Sequence, residues 1–387
     1  MTAPSPAIHG DYDPRFAAVR EAFHSNFLEH SEVGAAVCIE IEGQRLVDLW
    51  GGYCDAERTR PWQRNTLLNA FSVGKGITSI LVLTLAERGI LDLDAPVSRL
   101  WPEFDCAGKG GVTLRTLLSH QAGLPSVRKV LPEGAMLDWH RMTSELARQR
   151  PFWEPGTAHG YHVNTFGYLV GEMVRRACGQ SVGEALRKFV TGPLDIDFHI
   201  GLSKTEHHRV ADFIESKIFQ DPNSEAPAAE IGVEGDSDRD LMIRHAYFNP
   251  RGLSGGGVIN TAAWREAEIP STNGHGSARA VAATYSAFLG GGLVGQFLRQ
   301  DALSTQCQGN DLILDRPSRF GLGFQLPMES RPLGPNPGSF GHFGFGGSLG
   351  FGDPDTGIAF GYLMNRPGKR WQTPRVQNLI NAVYASL

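Results

Sequence analysis

Between Val73 and Ile90 the sequence places Ile77, Ile80, Leu81, Leu83, Leu85 and Ile90 around much of a helical wheel, with a stop near Gly89. A helix this apolar is mostly buried, so other elements must enclose it and the chain has to fold in layers around this segment. At its head, in the run FSVGKGIT, stand Ser72 and Lys75. Residues three apart share one helix face, so a hydroxyl and an amine meet at the first turn. That is a potential nucleophile beside a potential base, although the pair taken alone is equally a helix N-cap and a surface lysine.

A chain of 387 residues exceeds what one hydrophobic core usually supports, which points to two subdomains sharing a sheet. The pattern predicts a helix over Pro14 to Glu29, then a β-hairpin from Ala36 to Ile41 and Arg45 to Leu49, turning at Glu42 and Gly43. From Asp92 to about Ala267 the character changes to helix-like runs (Leu114 to Ser119, Met142 to Arg148, Thr165 to Cys178, Val182 to Val190) between loops rich in Pro and Gly. The acidic, polar stretch Asp221 to Asp240 reads as a surface loop or flap. Past Ala278 come a helix (Val281 to Leu289), strand-like runs at Gly321 to Leu326, His342 to Phe345 and Ile358 to Met364, and a closing amphipathic helix with Val376, Leu379, Ile380, Val383 and Leu387 on one stripe. The expected architecture is α/β, with residues 1-91 and 268-387 forming a discontinuous sheet domain and 92-267 an inserted, mainly helical domain.

Several function classes fall away on composition. A net charge of -5 without a Lys/Arg block leaves no nucleic-acid footprint. No apolar run approaches the roughly 20 residues of a membrane helix. The N-terminal MTAPSPAIHGDYDPRF lacks a signal-peptide pattern, and Cys38, Cys54, Cys106, Cys178 and Cys307 are an odd, scattered set. A cytoplasmic protein with reduced thiols is therefore expected. No metal is implied, because His207 and His208 are adjacent and Asp236, Asp238 and Asp240 lack the glycine of a calcium loop. No cofactor is implied either, since Gly344 to Gly350 has the wrong spacing for a dinucleotide and Gly74-Lys75-Gly76 is no P-loop.

Other serines compete for the role of nucleophile. Ser126 and Lys129 repeat the spacing, but they follow Pro125 in a loop with no apolar helix behind. Ser254 and Ser348 each sit in a Gly-x-Ser-x-Gly string, without the strand, turn and helix that such a motif needs. Two further elements favour Ser72. Tyr161 lies in HGYHVNTFGYLV ahead of a helix pattern, and His342-Phe343-Gly344 lies on a late strand.

This order of Ser-x-x-Lys, Tyr and basic-x-Gly resembles the serine β-lactamase and penicillin-binding-protein superfamily, and more closely the family VIII carboxylesterases. DLWGG (Asp48 to Gly52), LLSHQAGLP (Leu117 to Pro125), WEPGTAHGYH (Trp153 to His162) and IPSTNGHGSARA (Ile269 to Ala280) extend the likeness from about Asp11 to Met364. The resemblance implies a β-lactamase-like fold, an antiparallel sheet flanked by helices with the active site in a crevice beside the helical insertion. It implies catalysis by Ser72, Lys75 and Tyr161, with backbone N–H groups of Ser72 and Phe345 meeting the oxyanion. His342, Gly344, Asn164 and Trp153 would contact a small-molecule ester.

Two departures from the lactamase pattern favour esters over lactams. His342 stands where lactamases usually carry a lysine for the substrate carboxylate, and a mostly neutral histidine weakens that contact. The asparagine expected two residues after the tyrosine is replaced by Val163, with Asn164 one place later. Cleavage of short-chain esters through an acyl-enzyme on Ser72 is the expected function, with weak lactamase activity. A β-lactamase, amidase or acyltransferase using the same residues, or a penicillin- or peptide-binding module without turnover, are the alternatives.

Overall fold

The computed structural model describes residues 6-214, 237-250, 257-368 and 372-387. Its strands are β1 (Ile8–Tyr12), β2 (Gly34–Ile41), β3 (Gln44–Gly52), β4 (Leu68–Asn69), β5 (Phe198–His199), β6 (His275–Gly276), β7 (Cys307–Asp311), β8 (Arg316–Phe320), β9 (Phe340–Phe343), β10 (Leu349–Asp353) and β11 (Ile358–Met364). The helices are α1 (Ala17–Glu29), α2 (Val73–Glu87), α3 (Leu114–Leu118), α4 (Trp139–Arg148), α5 (Thr165–Cys178), α6 (Val182–Leu186), α7 (Asp238–Phe248), α8 (Ala262–Glu266), α9 (Ala278–Leu289), α10 (Gln296–Leu303) and α11 (Pro374–Tyr384).

The main sheet is antiparallel throughout, in the order β1-β3-β2-β11-β10-β9. It draws on both ends of the chain because β2 pairs with β11, from Ile41 opposite Ile358 to Ala35 opposite Met364. Both central strands are covered on their two faces, which is why β11 reads as an unbroken apolar run instead of alternating. One face packs on α1 and α11 through Phe16, Val19, Phe23, Val376 and Leu379. The opposite face packs on α9 and α2, and every residue of α2 from Val73 to Leu85 is buried. This is the antiparallel sheet flanked by helices that the resemblance implies.

Four readings of the sequence need correction. The run Gly321 to Leu326 is not a strand. Leu322, Phe324 and Leu326 do alternate, but they insert into the core, and only Gln325 bridges to Phe320 and Gly341. The strand nearby is β8, which pairs with β7 as a separate ribbon. Phe345 lies past β9 in a 3-10 turn, which leads to β10. Ile90 and Leu387 lie beyond their helices and are 36% and 62% exposed, so helix periodicity ran past the real stops. Of the acidic stretch, 221-236 falls outside the described residues, while Ser237 caps α7 by accepting from the Asp240 N–H. Asp238 and Asp240 therefore open a helix, where negative charge suits the N-terminal dipole.

The two chain ends are tied by a buried ion pair. Arg375 at the head of α11 donates to Glu32 after α1 at 2.5 Å, and the Tyr362 hydroxyl donates to the same carboxylate. Burial pushes the Glu32 carboxyl up while Arg375 opposes it. Arg375→Met leaves that carboxylate buried without its partner. It is expected to lose about 3–5 kcal/mol of stability in urea unfolding, with turnover per folded molecule retained. A loss below about 1 kcal/mol would refute the assignment of this pair as a structural tie.

Candidate active site

The chain enters the site from β4 through Ala70 and Phe71. Phe71 has φ 48°, a left-handed conformation that a bulky residue adopts at a cost of about 1–3 kcal/mol. Its ring is held against Phe213 (4.8 Å between centroids) and Phe345 (5.6 Å), and the bend delivers Ser72 to the start of α2. The Ser72 hydroxyl makes no capping bond to its own helix. The N-cap alternative is thereby set aside, and the oxygen is left to face Lys75 Nζ at 3.2 Å.

Lys75 is wholly buried, so the surface-lysine alternative also fails. Its Nζ donates to the Val163 carbonyl at 2.6 Å and the Ser271 carbonyl at 3.1 Å. Burial holds the amine well below the usual lysine range. A neutral amine has two N–H bonds and one lone pair. The two carbonyls occupy the N–H bonds, so the lone pair falls toward Ser72 Oγ.

Tyr161 completes the group. Its backbone N–H donates to Asp311 Oδ1 at 3.0 Å and its ring stacks on Phe320 at 6.1 Å and 5°. Burial raises the pKa of its phenol, and the Ser72 hydroxyl nearby opposes that shift. Lys75 Nζ lies 4.8 Å from the Tyr161 ring centroid. Burial therefore favours the uncharged form of both groups, amine and phenol.

His342 on β9 faces this group with its Nε2 3.5 Å from the Tyr161 hydroxyl. Its Nδ1 lies 2.8 Å from the Phe343 carbonyl. A carbonyl only accepts, so Nδ1 carries the proton and Nε2 is a bare acceptor. Burial first, then the nearby Lys75, lower the imidazole to about 3. Toward Tyr161 it thus presents a lone pair, with no charge.

Gly344 follows. A Cβ there would lie 2.7 Å from the Ala70 carbonyl, so only glycine lets the end of β9 lie against the turn that carries Ser72. Among the described residues the Ser72 N–H has no acceptor. The ring of Phe345 is partly buried against Phe71 and Phe213.

Asn164 and Trp153 are engaged with the protein itself. Asn164 Nδ2 donates to the Ala246 carbonyl (3.2 Å), and its Oδ1 accepts from Thr272 Oγ1 (3.0 Å). Trp153 Nε1 donates to the Gln121 carbonyl at 3.3 Å, with its ring edge-on to His162. Both polar ends of Asn164 are occupied, so it braces the site.

The sequence reading missed Ser271, His120 and His162, although the stretches that contain them were noticed. Ser271 Oγ donates to the Asn164 carbonyl (3.0 Å) and accepts from the Gly167 N–H (2.5 Å), which fixes the carbonyl that Lys75 uses. Cβ atoms at Gly74 or Gly167 would meet Pro270 O at 2.8 Å or Ser271 N at 2.5 Å, so both glycines admit this loop between α2 and α5. His162 Nδ1 lies 2.6 Å from Gly160 O and its Nε2 accepts from the Leu124 N–H, while His120 Nδ1 accepts from the His162 N–H. Burial drives His120 far down and His162 to about 3, so both are neutral braces around Tyr161.

The competing features separate cleanly. Lys129 pairs with Glu145 at 2.8 Å. Ser348 is buried in the turn before β10, and among the described residues its hydroxyl has no partner. Ser254 and Asp236 lie outside the described residues. His207 and His208 sit in a short 3-10 turn, and no metal-ligating cluster occurs among the described residues. Nor is any helix among them long and apolar enough to cross a membrane.

The profile of the Beta-lactamase family matches residues 17–382. The esterase/beta-lactamase LipL of Mycobacterium tuberculosis is 34% identical over 364 residues, covering 93% of this chain and 83% of the relative. A crystal structure of a family VIII carboxylesterase superposes with a TM-score of 0.88 at 37% identity, covering 98% of this chain and 100% of that one. A novel penicillin-binding-protein homolog from Caulobacter crescentus superposes with a TM-score of 0.87, also at 37% identity and with the same coverage.

Proposed function

The chain belongs to the Beta-lactamase family and is a β-lactamase-like hydrolase, and from that premise we propose that it is a carboxylesterase cleaving short-chain esters through an acyl-enzyme on Ser72. The observation that carries this reading is the Lys75 amine, fully buried, with two carbonyls on its N–H bonds and the Ser72 hydroxyl 3.2 Å away. A serine hydroxyl is a weak nucleophile until a base takes its proton. An unperturbed lysine is neutral in only about one molecule in 2,500 at pH 7, and burial, which disfavours the charged form, raises that fraction steeply for Lys75.

Lys75 accepts the Ser72 proton as Oγ attacks the ester carbonyl. The Tyr161 phenol, raised by burial, acts as hydrogen-bond partner and proton carrier instead of as a standing phenolate. The N–H groups of Ser72 and Phe345 receive the oxyanion. The leaving alkoxide takes back the proton, and a water activated by the same pair hydrolyses the acyl-enzyme. The five cysteines, all free, support a reducing compartment, read as the cytoplasm.

Esters are favoured over lactams by His342. Its bare Nε2 repels a carboxylate, the group that a lysine in its place attracts. With a p-nitrophenyl acetate or butyrate and a chromogenic cephalosporin compared at pH 7, ester kcat/KM is expected to exceed lactam kcat/KM by about 10² or more, the scale of one charge contact. Equal rates on both overturn the ester preference.

A further inference from the structure

We propose that α7 walls the part of the site that receives the alcohol portion of the ester, and that Tyr247 recognises it. The inference rests on the ester-hydrolase reading above. The proton that Lys75 takes from Ser72 must reach the departing alkoxide, so the leaving oxygen lies on the Tyr161 and Lys75 side of Ser72. The end of β9 is left to the oxyanion. Whatever hangs from the leaving oxygen meets the residues packed on Tyr161.

Part of that surround is α7, through Met242, Ile243, Ala246 and Tyr247. Tyr161 shares an apolar cluster with Val163, Met242, Ala246 and Ile313, and Tyr247 and Trp153 pack against it half-buried. The helix is pinned along its length. Asp238 takes Arg128 at 3.2 Å and Arg150 at 3.1 Å, and the Ala246 carbonyl takes Asn164. Beyond its end, Asn249 Nδ2 donates to the Val127 and Lys129 carbonyls at 2.9 and 2.8 Å. The two features that the chemistry leaves unused, Asn164 and the run from Ser126 to Lys129, therefore share one task, which is to hold this helix against Tyr161.

Tyr247 stands out on it. Among the described residues its hydroxyl has no hydrogen-bond partner. Burial raises its pKa, so at neutral pH it is a protonated donor, and it lies close enough that its ionisation would bear on Tyr161. Tyr247 is only half-buried, so a ligand oxygen can reach its hydroxyl. The ring offers an apolar face and the hydroxyl one hydrogen bond. The alcohol that fits is ring-sized and apolar, with an oxygen acceptor on its far side.

The test holds the acetyl group constant and varies the alcohol across ethyl, phenyl and 4-methoxyphenyl acetate, measuring kcat and KM. Tyr247→Ala is expected to lower kcat/KM about tenfold or more for phenyl acetate, mainly through KM, and less than about threefold for ethyl acetate, as loss of aromatic packing requires. Tyr247→Phe is expected to leave phenyl acetate unchanged and to lower 4-methoxyphenyl acetate about fivefold, the scale of one neutral hydrogen bond. Should the alanine variant not fold, the phenylalanine variant decides alone. An equal loss on all three esters, or a change in acetate-against-butyrate preference with alcohol preference intact, overturns the proposal. A wild-type protein that turns over no ester overturns the hydrolase reading first, so the two failures are distinguishable.

Discussion

Ser72→Ala is expected to lower ester kcat by about 10⁴ to 10⁶-fold, the range seen when the nucleophile is removed from a cooperating group. Stability should hardly change, because the Ser72 hydroxyl makes no capping bond to α2. Intact-mass measurement after incubation with a phosphonate or a slow ester should find one adduct on the wild type and none on this variant. Ser348→Ala is the control: its hydroxyl is buried in a turn without a partner among the described residues, so it should retain most of the activity. An undiminished adduct on Ser72→Ala removes Ser72 as the nucleophile and with it the whole assignment.

Lys75 carries the second large effect. Lys75→Arg replaces a group that can lose its proton with one that stays charged, so kcat is expected to fall by about 10³-fold or more. In the wild type kcat/KM should rise as pH climbs through the lowered pKa of Lys75 and then level off. Stability has a linked signature. The folded-state pKa lies well below the unfolded value near 10.4, so between the two the unfolded chain binds one more proton. Stability from this group is therefore complete only above about pH 10.4 and declines as pH falls through that window. Lys75→Met has no such dependence. Its stability relative to wild type should shift in the wild type's favour between pH 7 and 10, by at most about 1.4 kcal/mol per unit. A gap that stays constant across that range contradicts a neutral Lys75.

Much of this site could be read in one dimension because its members follow local rules. A helix-face spacing of three joins Ser72 to Lys75, and a buried apolar helix behind them separates that pair from Ser126 and Lys129. The central strands were legible for the same reason, since an unbroken apolar run such as β11 reports burial on both faces. Legibility failed where an apolar pattern had another cause. Leu322, Phe324 and Leu326 alternate like a strand yet fill the core from an irregular segment. Ser271 was invisible as a site residue because its contribution to Lys75 is a backbone carbonyl, which every residue type possesses.

Sequence alone pointed to the candidate nucleophile and base, the β-lactamase-like class and the likeness to esterases, all of which depend on residue types at fixed short spacings. Tertiary structure decided the burial that lowers the Lys75 pKa, the tautomer of His342 and the hydrogen-bond partners of Asn164. Those depend on which carbonyls and rings arrive from distant segments, such as Val163, Ser271, Phe343 and Ala246. The physical reason is that a pKa or a hydrogen-bond direction belongs to an environment, and an environment exists only once the chain has packed.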